Sequence, residues 1–239
     1  MLPAVEITEL ASALAVEQGD FVSLVGGGGK TTALFALGRQ LGGTVVLSTT
    51  TKMGSDRTDG QQPLIDPSRE EMTAALAASR VVLTWKEIDD HRALGYSPEE
   101  AAAWADLADH VVLEADGSRR KPFKAPAPHE PVVPDATTLL VACVGAGAFG
   151  ARIDEVCHRP EIVAEIAGCG PDEALTADRL AAVLQSDAGS RKQCPPAARF
   201  AVLLNRVGEA DASFVEGLAG AMSDSVRVVS VAPFAADRY

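Results

Sequence analysis

The sequence predicts an α/β fold: a doubly wound, mainly parallel sheet with helices on both faces. Three observations carry this reading. Short apolar runs of strand length alternate with segments of helical spacing along most of the chain. The first run ends in four glycines followed by Lys30. The polar residues with chemical potential fall just after the apolar runs, at the carboxyl ends of strands, where parallel sheets bind ligands.

The elements follow in order. Residues 6–16 place Ile7, Leu10 and Leu14 on one side and predict a helix. Residues 21–25 read as a buried strand entering a turn, and 31–41 as a helix ended by Gly42 and Gly43. A second strand at 44–48 precedes a helix at 68–78, with Glu70 and Glu71 in its first turn. A third strand at 80–84 leads to a helix start at Ser97-Pro98-Glu99-Glu100, where a Ser cap, an early Pro and acids suit the positive helix end. Strands at 110–114 and 138–144, helices at 160–167 and 177–185, a strand at 200–204, a helix at 212–222 and a strand at 226–231 complete the alternation. Residues 117–135 hold five prolines, which fix φ and remove donors, so neither a helix nor a central strand fits there. A long ordered loop of this kind is often functional. With no internal repeat and no linker, the chain reads as one domain over 1–239.

Composition narrows the function. Hydrophobic residues at 47% and charged residues at 23% match a folded globular chain. A net charge of −12 argues against a nucleic-acid partner, which would call for a broad basic face. No apolar run reaches the ~18 residues of a membrane helix. Cys143, Cys157, Cys169 and Cys194 form no CxxC, and Met1–Glu6 lacks the basic start of a secretion signal; both predict a cytoplasmic protein with reduced thiols.

Gly26-Gly27-Gly28-Gly29-Lys30-Thr31-Thr32 carries the most specific chemistry. Glycines after a strand point backbone N–H groups inward, and the following helix adds its positive end. Lys30 suits the β- and γ-phosphates of ATP or GTP, and the Thr31 hydroxyl suits Mg²⁺. The expected type is therefore a P-loop NTPase domain that binds nucleotide through Gly26, Gly27, Gly28, Gly29, Lys30, Thr31 and Thr32. Leu24 occupies the usual first glycine of GxxxxGK[ST], so the spacing is GxxGK[ST], similar to the loop of Mur-type ligases. It also resembles GGxGK[ST] of the dimer-forming P-loop class, with Val25 in place of that class's extra lysine.

Further motifs surround it. Ser48-Thr49-Thr50-Thr51-Lys52 supplies hydroxyls at a strand end, with Thr50 a metal-ligand candidate. Glu114 and Asp116 end an apolar strand two residues apart, on one side of it, as metal-binding or catalytic acids. Arg119, Arg120, Lys121 and Lys124 follow, as cations for a transferring phosphoryl group or an anionic substrate, with Arg119 and Arg120 the catalytic candidates. Asn205-Arg206-Val207-Gly208 is similar to the base-reading NKxD turn without its acid, so Asn205 is a nucleotide-contact candidate and the preferred base stays open. His158 is open between a general base, a phosphate contact and a surface residue.

Taken in order, GGGGKTT, STTTKM, LEADGSRRKPFKAP and CHRPE resemble the YqeC family, accessory proteins of selenium-dependent molybdenum hydroxylases, from about Gly19 to the last strand. Arg206 and Gly208 depart from the lysine and later acid of that family's asparagine turn. The resemblance implies a role in maturing a molybdenum cofactor or its selenium ligand. A small anionic substrate of molybdopterin type and an apo molybdenum hydroxylase are the implied partners. Two functions are expected: a Mg²⁺-dependent NTPase, kinase or ligase-like enzyme, or a nucleotide-gated chaperone or regulatory module with little catalysis.

Overall fold

The computed structural model describes residues 4–233; Met1, Leu2 and Pro3, on which the reading of the N-terminus rests in part, lie outside them. The strands are β1 (Phe21–Gly26), β2 (Val45–Thr49), β3 (Lys52–Gly54), β4 (Leu64–Ile65), β5 (Val81–Trp85), β6 (Glu87–Asp89), β7 (Arg92–Leu94), β8 (His110–Glu114), β9 (Phe123–Lys124), β10 (Leu139–Gly145), β11 (Cys157–His158), β12 (Arg199–Asn205) and β13 (Arg227–Val231). The helices are α1 (Leu10–Ala13), α2 (Lys30–Gln40), α3 (Arg69–Ala78), α4 (Pro98–Ala102), α5 (Ile153–Val156), α6 (Pro160–Ala167), α7 (Ala177–Gln185) and α8 (Ala212–Ala221).

Eight strands form one parallel sheet in the order β13-β12-β10-β1-β8-β2-β5-β4. The chain runs outward from β1 through β2 to β5, returns to β8 beside β1, then builds the other half through β10, β12 and β13. Strand β1 therefore lies between β8 and β10, where the direction of winding changes, the place at whose carboxyl end open α/β sheets bind ligands.

Alternating side chains feed two apolar layers. Phe21 and Val25 face one with Met72, Trp104, Val163, Leu180 and Leu218, so α3, α6, α7 and α8 cover that face. Val22 and Leu24 face the other with Leu10, Leu34 and Leu37, so α1 and α2 cover the opposite face. This is the α/β architecture the alternation predicts.

Several local features differ from expectation. The predicted helix at 6–16 is a 3-10 turn at Ile7–Glu9 running into α1, and Ala15 already stands at φ 52. The two-residue β4 and the antiparallel sheet β3-β7-β6 carry too few residues for periodicity to register. Within the proline-rich stretch the main sheet gains no strand; β9 pairs only with β11. The predicted cap at Ser97 closes a capping box with Glu100, and Ser68, read as the first helical residue, is instead the cap of α3 and closes a second box with Glu71. Among the described residues no helix is long and apolar enough to cross a membrane, and all four cysteines are free.

Candidate functional site

The glycine loop owes its shape to positive φ at Gly26 (92°), Gly28 (73°) and Gly29 (114°), which side chains rarely adopt. Its neighbours also exclude side chains. A Cβ on Gly27 would stand 2.5 Å from Lys121 O, and one on Gly28 would fall onto Gly145 N. The backbone of Lys121–Phe123 thus lies directly against the loop, and Gly145 N donates to Pro122 O at 2.9 Å. Asn205, at the end of β12, donates its Nδ2 to Gly28 O at 2.8 Å, while its Oδ1 is buried without a protein partner.

Lys30 opens α2 with its side chain buried beneath the loop. Its ammonium donates to Gly26 O at 2.6 Å and pairs with Asp116 Oδ1 at 3.1 Å. Burial alone would weaken its basicity, but Asp116 and Glu114 outweigh it and hold the ammonium charged. Thr31 and Thr32 form the half-exposed start of α2. The Thr31 hydroxyl donates to Glu114 Oε1 at 2.5 Å. Burial pushes the Glu114 carboxyl up, against the pull of Lys30 and the Thr31 hydrogen bond. Arg57, in the loop after β3, adds a weaker cationic influence on Glu114.

The two acids share Lys30 but differ in surroundings. Asp116 accepts from Gly26 N through both oxygens, at 3.1 and 3.0 Å, and pairs with Lys30 and with Lys124 (3.2 Å). It is wholly engaged inside the protein. Glu114 faces the Thr31 hydroxyl at the mouth of the loop. A magnesium ion takes oxygen ligands and keeps several waters, so the Thr31 hydroxyl and Glu114 carboxylate suit it when phosphate oxygens supply further ligands. Among the described residues no three His, Cys, Asp or Glu side chains form a ready cage. Thr50, a metal candidate from sequence, donates to Val132 O at 2.6 Å and ties the proline-rich loop to the strand end. Ser48 and Thr49 likewise donate to the carbonyls of Thr84 and Glu114.

The basic segment divides. Lys124 is buried, bonded to Gly117 O at 2.7 Å and paired with Asp116 and Glu130. Lys121 turns away to Glu155 O. Arg119 and Arg120 are exposed on a turn closed by Lys121 N to Ser118 O, and both have positive φ, 50° and 64°. Glu130 accepts from Arg159 Nη1 at 2.8 Å as well as from Lys124, and these cations hold its carboxyl down to about 2 despite burial. Glu130 and Arg57 are site neighbours that sequence reasoning missed: each is one charge within an irregular stretch. A separate groove of about 630 Å³ opens at the amino ends of β10, β12 and β13, but its Arg199 is already paired with Asp20 and bonded to Ala15 O.

Comparison with known proteins follows the same residues. The family model described as YqeC protein matches residues 22–161, from β1 through the glycine loop, the acidic strand end and the basic loop to the start of α6. The Escherichia coli (strain K12) protein named "Uncharacterized protein YqeC" is 31% identical over 217 residues, covering 84% of this chain and 83% of that one. No solved structure matches. The chain belongs to the YqeC family.

Proposed function

We propose that this protein is a Mg²⁺-dependent, P-loop-type nucleoside-triphosphate-binding enzyme acting on an anionic cofactor precursor during maturation of a molybdenum hydroxylase in the cytoplasm. The observation that carries the reading is the joint placement of Lys30, Thr31 and Glu114 at the glycine loop, with Thr31 Oγ1 2.5 Å from Glu114 Oε1. Lys30 would leave Gly26 O and Asp116 to meet the β- and γ-phosphates of ATP or GTP. The half-exposed glycines Gly28 and Gly29 lie at the start of α2, whose positive end suits phosphate. Magnesium would join Thr31, Glu114 and the phosphates and neutralise developing charge. The exposed Arg119 and Arg120 would meet the second substrate. The molybdenum role, with or without selenium, rests on the family resemblance.

A second reading, a nucleotide-gated carrier that delivers cofactor to an apo-hydroxylase with little hydrolysis, draws on one arrangement. Lys30, Asp116, Lys124, Glu130 and Arg159 form a continuous ion-pair chain, so moving Lys30 onto a phosphate alters the support of the proline-rich loop.

The test is calorimetry with ATP and GTP, with and without Mg²⁺, on wild type and Lys30→Ala, followed by phosphate release and product mass spectrometry with molybdopterin-type precursors. Nucleotide affinity lost in Lys30→Ala supports the site, and turnover then separates enzyme from carrier. Equal affinity in both proteins removes the reading.

A further inference from the structure

His158 sits among cations that lie beyond the glycine loop and its triphosphate site. The parallel ladder β9–β11 sets Lys124 opposite His158. Arg159, at the head of α6 with φ 64, brings Nη1 within 3.5 Å of His158 Nδ1. Arg159 Nη1 directs its two hydrogens to Glu130 Oε2 at 2.8 Å and Ala125 O at 3.4 Å, so it lies beside the ring without fixing the tautomer, and the imidazole carries an N–H donor in either one. The exposed turn that carries Arg119 is held on the same side of the molecule: its Lys121 is bonded to Glu155 O, three residues before His158, and the strand that follows it, β9, pairs with β11. Burial and these three cations hold the imidazole neutral, and Glu130 is the carboxylate opposing them there. Glu130 is already shared between Lys124 and Arg159. The cations therefore outnumber the acids around a half-buried ring that presents an N–H donor.

The backbone supports the same conclusion. Arg119, Arg120 and Arg159 all stand at positive φ, between 50° and 64°. Left-handed backbone is uncommon at non-glycine residues, and such strain gathers at ligand clamps.

We infer that Arg119, His158 and Arg159 form the seat of a phosphate-monoester group on the second substrate, with His158 as a hydrogen-bond donor and the two arginines as charge partners. This deepens the phosphoryl-transfer reading by naming where its anionic acceptor binds. The seat is joined to the glycine loop through Lys124 and Asp116. An arginine fork matches phosphate geometry, and positioning of this kind is most of what a phosphoryl-transfer site supplies.

NMR of the histidine ring C–H signals tests it, with His158 assigned by the signals lost in His158→Gln. The full chain is titrated with inorganic phosphate. The expected result is a saturable shift of His158 in wild type and in Thr31→Ala alike, since Thr31 contacts Glu114 in the glycine-loop site and stands outside the Asp116–Lys124–Glu130–Arg159 ion-pair chain. Arg119→Gln, at an exposed position, should weaken this titration on the order of tenfold. Arg159→Lys, which keeps charge but loses the fork, should weaken it less. A linear, unsaturated drift of His158, or the same saturation curve in Arg119→Gln, overturns the proposal. A saturable His158 shift alongside absent nucleotide binding would leave the seat standing and remove only the triphosphate reading.

Discussion

Thr31 and Glu114 are joined directly, hydroxyl to carboxylate at 2.5 Å, across the gap between the first turn of α2 and the end of β8. The bond sets side by side the two oxygen donors that the proposed magnesium would require. Glu114→Gln keeps an acceptor for Thr31 but removes the charge. Affinity for Mg²⁺·triphosphate, or turnover, should fall about tenfold, ~1.4 kcal/mol, while metal-free nucleotide binding changes little. Calorimetry with and without Mg²⁺ measures the difference; an unchanged Mg²⁺ dependence would leave Glu114 a purely structural acid.

Asp116 should behave differently. Its carboxylate pairs with two buried ammonium groups, Lys30 and Lys124, and caps Gly26 N. Asp116→Asn strips the negative charge from between two buried cations. The expected cost is about 3 kcal/mol of folding stability, the scale for breaking a buried ion pair. Urea denaturation should show it, with Glu114→Gln losing clearly less. Similar losses in both variants would remove the distinction between the acids.

Gly28→Ala tests how closely the loop is packed. The new methyl would meet Gly145 N and Pro122 O at a residue already held at φ 73. Overpacking of backbone on backbone costs about 1–3 kcal/mol. Both thermal stability and triphosphate affinity should drop. Gly42→Ala, where a Cβ meets nothing within 4 Å, is the control and should leave both nearly unchanged.

Acid should release the proline-rich loop. The Glu130 carboxyl is held at about 2 in the folded chain, against an ordinary 4.5. Its folded value is the lower, so its contribution is complete above about pH 4.5 and disappears as pH falls toward 2. That difference corresponds to on the order of 3 kcal/mol. Denaturation midpoints taken at intervals through this window should fall more steeply for wild type than for Glu130→Gln. Parallel curves would show that the Lys124 and Arg159 pairs add nothing to stability.

Long-range order was readable where the chain repeats a pattern. The runs at β1, β2, β5, β8, β10, β12 and β13 each hold three to six apolar residues, enough to mark a buried parallel strand. Hydrophobic spacing also located α6 and α7, at Pro160–Ala167 and Ala177–Gln185. The glycine loop and its lysine were legible because a strand, a glycine cluster and a helix start leave few alternatives. Side-chain allegiance was not legible. Glu114 and Asp116 look equivalent in sequence, and it is Gly26 N, Lys30 and Lys124 together that hold Asp116 inward. Lys124 reads as one of four surface cations, yet it is 1% exposed. Thr50 reads as a ligand and binds a loop carbonyl. Such pairings are set by how an irregular, proline-rich segment folds back, and no periodicity encodes that path.

The contact between Lys121–Phe123 and the glycine loop also constrains how relatives of this chain can differ. Gly27 has no room for a side chain while Lys121 O and Phe123 N lie against it, and Gly28 none while Gly145 and Pro122 do. A larger residue at either position requires the facing backbone to move in the same descendant. Inherited change at Gly27, Gly28, Pro122 and Gly145 should therefore be correlated, although these positions lie on three separate stretches of chain. Exposed turn residues such as Arg120 carry no such steric tie, and their variation across the family should follow the ligand instead.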